Sequence, residues 1–185
     1  MERLTPEFFE QDPVTCAREL IGARFVWSGC EGRIVETEAY AAEGDPACHT
    51  FFRPSSRLFV DAHAAGTAYI YMNYGIHWLF NILVKGPAGA GFVLFRALEP
   101  IAGIDLMAAR RGKRELRDLC SGPGKLTRAL GIDGSAHGLG FLGDEGRGVF
   151  AGEPVSVAEG PRIGISRALD RPWRFRHAGS RFVSR

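Results

Sequence analysis

The stretch RIVETEAY, residues 33–40, sets two glutamates two residues apart in what otherwise reads as a buried strand. A strand alternates its faces with period 2, so Ile34, Glu36, Glu38 and Tyr40 are expected on one face and Val35, Thr37 and Ala39 on the other. Two carboxylates beside an isoleucine and a tyrosine are costly if that face is dry. One reading is an edge strand with a wetted face. The other is a catalytic carboxylate at a strand end, its proton affinity set by its surroundings. The octapeptide alone leaves both open.

The chain has 185 residues, 45% hydrophobic and 24% charged. That suits a single globular domain spanning residues 1–185 with a sizeable core. No apolar run approaches the ~18 residues that a membrane span needs. The polar, acidic start MERLTPEFFEQD does not read as a signal peptide, so a cytoplasmic location is expected. Cys16, Cys30, Cys48 and Cys120 are far apart and form no C-x-x-C pair. Neither a zinc site nor a disulfide framework is expected, and a reducing interior is the default.

Net charge is only +2, but it is unevenly spread. Residues 161–185 hold seven arginines against one acid, Asp170, and RRGKRELR adds a second basic cluster that includes Arg111. Two such segments on a near-neutral chain point toward a polyanion partner.

Strands are expected at ARFVW, RIVETEAY, GTAYIYM, IHWLFNILV and GFVLFRALE, and a final pair within PRIGISRAL and RFRHAGSRFVS. Two short helical pieces fit TPEFFEQDPVTCARELIGA, where Asp12 before Pro13 is a good cap and Gly22 a good stop. Further helices fit GIDLMAARR and GPGKLTRAL, while residues 131–154 are glycine-rich and expected to loop. Consecutive strands with few helices between them indicate an α+β domain around a largely antiparallel sheet. In AYIYMNYGIHWLFNI, two aromatic strands flank Asn73-Tyr74-Gly75, a hairpin signal that places Tyr74 near the tip. Such an exposed aromatic wants a partner.

Several common chemistries are missing: there is no H-E-x-x-H, no G-x-S-x-G and no G-x-G-x-x-G after a strand. GPGKLT fails as a phosphate loop because Leu126 follows Lys125. A glycine turn opening a helix is nevertheless a candidate phosphate contact, with Lys125 adjacent.

Taken together, RIVETEAY, ACHT, TAYIYMNYGIHWLFNI, VLFRALEP, LCSGPGKL and RIGIS resemble the alkyladenine (3-methyladenine) DNA glycosylase family, in order and spacing, from about Arg33 to the C-terminus. The resemblance implies a single mixed domain with a curved antiparallel sheet and a protruding hairpin that enters the DNA minor groove. It implies that Glu38 activates the hydrolytic water, and that Arg96 and the backbone carbonyl of Ile163 help to hold it. Tyr40, His49 and Tyr71 would wall the pocket for the flipped base, Asn81 would filter bases, and Tyr74 would fill the gap in the stack. It implies duplex DNA with damaged purines as partner, no cofactor, no metal, a monomer, and no strand cleavage. Two departures, His77 in place of an aromatic and the short HTFFRPSSR, bear on substrate range.

These roles agree with physical need. The reacting carbon is inaccessible in a duplex, so the base must leave the stack. A hairpin-tip aromatic can wedge the gap, and flat side chains can stack on the extruded base. Cationic alkylpurines add a cation–π attraction. A single carboxylate can then deprotonate water and stabilise the cationic sugar. Periodicity alone does not rank Glu38 over Glu36; the resemblance does. Two other readings stand beside this one. One is a nucleic-acid-binding module of the same fold without catalysis. The other is a glycoside hydrolase using Glu36 and Glu38, ~7 Å apart but pointing the same way.

Overall fold

The computed structural model describes residues 1–184. Eight strands form one curled antiparallel sheet: β1 Arg24–Trp27, β2 Cys30–Ala41, β3 Ala68–Asn73, β4 His77–Gly86, β5 Gly89–Ala102, β6 Arg147–Phe150, β7 Val157–Gly160 and β8 Arg174–His177. The main order is β3-β4-β5-β2-β1-β6, and β8 joins β2 and carries β7 outside it. Six α-helices complete the α+β architecture, α1 Pro13–Glu19, α2 His49–Phe52, α3 Pro54–Ala62, α4 Ile104–Arg111, α5 Leu116–Leu119 and α6 Pro123–Leu130, with short 3-10 turns at Pro6–Phe9 and Gly134–Ala136. None of the described helices is long and apolar enough to cross a membrane.

β2 runs through the middle of this sheet. β5 pairs with it along nearly its whole length, while β1 and then β8 take the other edge. The wetted-edge reading of RIVETEAY therefore fails. Glu36 and Glu38 are both 0% exposed.

The expected face pattern also needs a correction. The β2–β5 register shifts between Ile34 and Thr37: Ile34 faces Leu98, Glu36 faces Ala97 and Thr37 faces Phe95. Val35 on β2 and Arg96 on β5 are thus extra residues in the ladder. Ile34 and Ala39 point into the main core, and the Thr37 hydroxyl donates to the Ala17 carbonyl of α1 at 2.7 Å. Val35 packs instead with Ala97 and Phe182 on the side that carries the two glutamates. An uninterrupted period of 2 would have buried Ile34 beside them. Bulges re-aim side chains in this way, and here they turn both Glu36 and Arg96 toward one another.

The main core lies on the α1 and α6 face. Its centre is aromatic: Phe25 stands 4.9 Å from Phe80 and 5.1 Å from Phe95 between ring centroids, with Phe141 at 5.6 Å from Phe80. α1 starts as its sequence suggests, Asp12 accepting from the N–H groups of Val14 and Thr15 at 3.0 Å each. The other face carries a smaller aromatic cluster of Phe59, Tyr69, Phe92 and their neighbours beneath α3.

Two further expectations change, and one unassigned stretch is filled in. PRIGISRAL forms no strand; Gly164 (φ 76°) and Ala168 (φ 50°) break it with left-handed backbone. The glycine-rich stretch yields β6, and VAEG yields β7, both recruited by sheet edges rather than by their own propensity. HTFF and PSSRLF, for which the sequence suggests no element, form α2 and the start of α3, separated by the extended Arg53, with Pro54 opening α3.

Candidate active site

A cavity of about 550 Å3 opens on the glutamate-bearing face. Tyr71, from β3, and His49, from α2, meet at 4.3 Å between ring centroids and form its wall. Behind them Tyr69 stacks on Phe92 at 4.3 Å and bonds both His49 Nδ1 (3.0 Å) and Ser56 Oγ (2.8 Å) through its hydroxyl. Burial, reinforced by the Arg53 charge, pushes the His49 pKa down to about 4, so this imidazole is neutral at pH 7. Burial raises both Tyr71 and Tyr40, with the Glu38 charge as the next cause for Tyr40. The wall is therefore aromatic and uncharged.

The floor is the opposite. Glu38 Oε2 accepts from the Tyr40 hydroxyl at 2.7 Å, and Oε1 accepts from the Ile163 N–H at 2.7 Å and lies 3.3 Å from Arg96 Nη1. Tyr40, Ile163 and Arg96 all line the cavity, so every partner of Glu38 faces it. Arg96 reaches Glu36 as well, through Nε at 3.0 Å. Burial alone would discourage the Arg96 charge. The two carboxylates outweigh it and hold the guanidinium pKa above its ordinary value.

Glu36 is enclosed from behind. Its Oε1 accepts from Arg174 Nε (2.7 Å) and Ser184 Oγ (2.8 Å), and its Oε2 from the Ser184 N–H (2.5 Å). Neither Arg174 nor Ser184 was legible as a site residue, since each lies more than 130 positions from Glu36. The buried Arg162 was also missed in this role. It makes a two-pronged pair with the Asp45 carboxylate (2.6 and 2.9 Å), bonds the Ala39 carbonyl (2.9 Å) and sits 4.7 Å over the Tyr40 ring. This anchor fixes the next residue, Ile163, against Glu38. The contact to Glu38 is made by the Ile163 N–H.

Asn81 also lines the cavity, its Nδ2 donating to the Tyr69 carbonyl at 3.2 Å. Tyr74 lines the mouth, 85% exposed. It sits in the turn joining β3 to β4 with φ 49°, next to Gly75 at φ 70°. A tyrosine rarely adopts this left-handed backbone, so the turn holds strain that an asparagine or glycine would not. The two proposed phosphate contacts do not line the cavity. Lys125 lies in the first turn of α6 and donates to Ser121 Oγ at 3.3 Å, whereas Arg111 ties α4 to the Leu119 and Asp118 carbonyls at 3.1 and 3.3 Å. Among the described residues, no group of three or more His, Cys, Asp or Glu side chains is placed to hold a metal ion.

The family model described as Methylpurine-DNA glycosylase (MPG) matches residues 7–181, nearly the whole chain. The chain belongs to this family. Similar proteins include one from Nitrosospira multiformis, 48% identical, with 96% of this chain and 91% of the relative covered. One from Rhizobium meliloti is 46% identical over 100% and 99%, and one from Chlorobaculum tepidum 43% identical over 100% and 92%. Each carries the name "Putative 3-methyladenine DNA glycosylase". The family match spans β2, α2, β3, β4, β5 and the loop that carries Ile163, the elements that together build most of the cavity.

Proposed function

We propose that the protein is a DNA glycosylase that extrudes alkylated or deaminated purines from duplex DNA and hydrolyses the N-glycosidic bond with a water activated by Glu38. The observation that carries this reading is one carboxylate held directly beneath a cavity with an uncharged aromatic wall, by three groups that line that cavity. The cavity volume falls in the ~300–1,000 Å3 range of small-ligand sites, ample for a purine. An N3- or N7-alkylated purine is cationic. A wall of Tyr40, Tyr71 and neutral His49 attracts such a ring by stacking and cation–π contact without opposing its charge.

In the reaction, the water oxygen bonds the sugar C1′ as the bond to the purine nitrogen breaks. The electron pair of that bond leaves with the base, and a water proton passes to Glu38. The carboxylate also faces the cationic sugar as it develops. Glu38 has no exposed surface of its own, so the water reaches it along Arg96 and Ile163, the cavity-lining groups that touch it. Tyr74 wedges the vacated stack, and Asn81 screens the base edge. Among the described residues no lysine lines the cavity, which favours a simple hydrolase that leaves an abasic site uncut.

The test is incubation with duplexes that each carry one defined lesion, followed by alkali. Alkali-labile strands from 3-methyladenine or 7-methylguanine duplexes are expected, with intact strands before alkali. A shift in DNA mobility with no labile sites would favour a binding module without catalysis instead.

A further inference from the structure

α2 presents two consecutive phenylalanines to solvent. Phe51 is 55% and Phe52 52% exposed, although the same helical turn buries Thr50 and aims His49 into the cavity. Single exposed apolar side chains are ordinary, but an adjacent pair at the mouth of a site marks a contact surface. Phe52 lines that mouth, so the pair is continuous with the cavity.

What surrounds the pair identifies its partner. Arg167, from the loop after Ile163, stands 5.7 Å over Phe51. Arg53 stands 5.6 Å over Phe52 and 5.9 Å over Tyr71. Arg57 bonds the Thr50 carbonyl at 2.5 Å and is held beside the same turn. Among the described residues none of these three arginines has a carboxylate within 4.0 Å, whereas Arg96, Arg162 and Arg174 are all engaged by buried acids. α3 carries a single acid, Asp61. Unpaired arginines interleaved with exposed aromatics fit a polyanion with flat or sugar surfaces, not an acidic peptide or a bare apolar partner.

We propose that the α2 turn is a second DNA-gripping edge, separate from the Tyr74 turn. Phe51 and Phe52 pack against the sugars of nucleotides flanking the extruded one, and Arg53, Arg57 and Arg167 hold their phosphates. The proposal rests on the DNA-glycosylase reading above, and it adds where the strand runs beyond the cavity.

Binding is measured with duplexes that carry a reduced, uncleavable abasic site, either long on both sides or trimmed toward the site from one end at a time. Phe51→Ser, at an exposed position outside the cavity lining, is expected to bind the long duplex about fivefold more weakly, the cost of leaving half a phenyl ring wet. Wild type is expected to suffer the same loss on a duplex trimmed past this edge on one side only, and Phe51→Ser to lose nothing further there. Arg53→Gln is expected to flatten the log–log salt slope by about 1. Equal binding of the long duplex by wild type and Phe51→Ser would overturn the proposal. So would a Phe51→Ser defect that persists undiminished on every trimmed duplex. Excision by wild type on long lesion duplexes is read separately. Its absence would overturn the glycosylase reading, whereas normal excision with an unaffected Phe51→Ser would overturn the second edge alone.

Discussion

At the floor of the cavity Glu36, Glu38, Arg96 and Arg174 lie in contacts of 2.7–3.3 Å, all of them buried or nearly so. On the wall His49 and Tyr71 are also withdrawn from water, yet there burial removes charge instead of storing it. The difference lies in the number of partners. Each floor carboxylate has an arginine and at least two further donors, enough to offset desolvation. The wall groups meet mainly rings and hydroxyls, which stabilise a neutral form. One region is suited to handling a proton and a developing cation, and the other to receiving a flat ring that carries its own charge. The same contrast recurs within the floor. Every partner of Glu38 faces the cavity, whereas Arg174 and Ser184 close Glu36 off from behind.

The sharpest way to break this contrast is Glu38→Gln. The amide keeps the shape but takes no proton from water. Single-turnover excision is expected to fall by about 10^2- to 10^4-fold, the usual worth of a general base. Affinity for lesion duplex should stay close to wild type. Equal losses of affinity and rate would mean that Glu38 organises the cavity and does not act on water.

A smaller loss is expected at the mouth. Tyr74→Ala removes the ring proposed to fill the stack, at an expected cost of about 1–3 kcal/mol and hence roughly 5- to 150-fold in the extruded population. The defect should be large for a lesion in a matched duplex and smaller in a mismatch, where unpairing is partly done. Tyr74→Gly should show the same excision defect with no loss of thermal stability, because glycine relieves the left-handed turn. A fall in stability on Tyr74→Gly would assign the ring to the fold.

Glu36→Gln should touch the chemical step least of the three and stability most. It leaves Arg174 and the Ser184 N–H facing an amide inside the protein, and removing one partner of such a buried pair costs about 3–5 kcal/mol. Denaturant midpoints should drop clearly, while the excision rate per folded molecule stays near wild type. If the rate collapsed and stability held, the roles within VETEAY would be reversed.

How far the sequence reached follows from the range of each interaction. Asp12–Pro13 and the antiparallel strands on either side of Gly75 are local and were legible. The family motifs marked Glu38, Arg96, Tyr40, His49, Tyr71 and Asn81, and the fold gathers all six at one cavity or directly beneath it. The side on which Ile34 lies was misread because a bulge answers to the partner strand, and no octapeptide contains its partner. RIGIS has the composition of a strand, but Arg162 spends its donors on Asp45 and Ala39 and draws the segment into a loop over Glu38. The arginine-rich tail read as one polyanion surface is divided by the fold. Arg162 and Arg174 turn inward to carboxylates, while Arg167 stays beside Phe51. Arg185 lies outside the described residues.

The smallest effect tests the neutral wall itself. In the unfolded chain His49 takes a proton as pH falls below its ordinary value near 6.5, whereas in the folded protein it does so only near about 4. Between these values the unfolded state binds more protons, so stability is complete above pH 6.5 and is lost as pH falls toward 4. Denaturant midpoints at pH 7 and pH 5 should therefore differ in wild type, and differ less in His49→Gln, which has no imidazole to titrate. His137, also lowered by burial, contributes equally to both proteins and cancels in the comparison. Carboxylates shared by the two proteins cancel likewise. Lesion binding should stay flat between pH 7 and pH 5, since the folded wall does not charge in that range and a fixed alkylpurine cation does not titrate. Parallel stability curves would mean that His49 keeps an ordinary proton affinity in the folded protein, and that the wall gains a charge opposing a cationic base as pH falls.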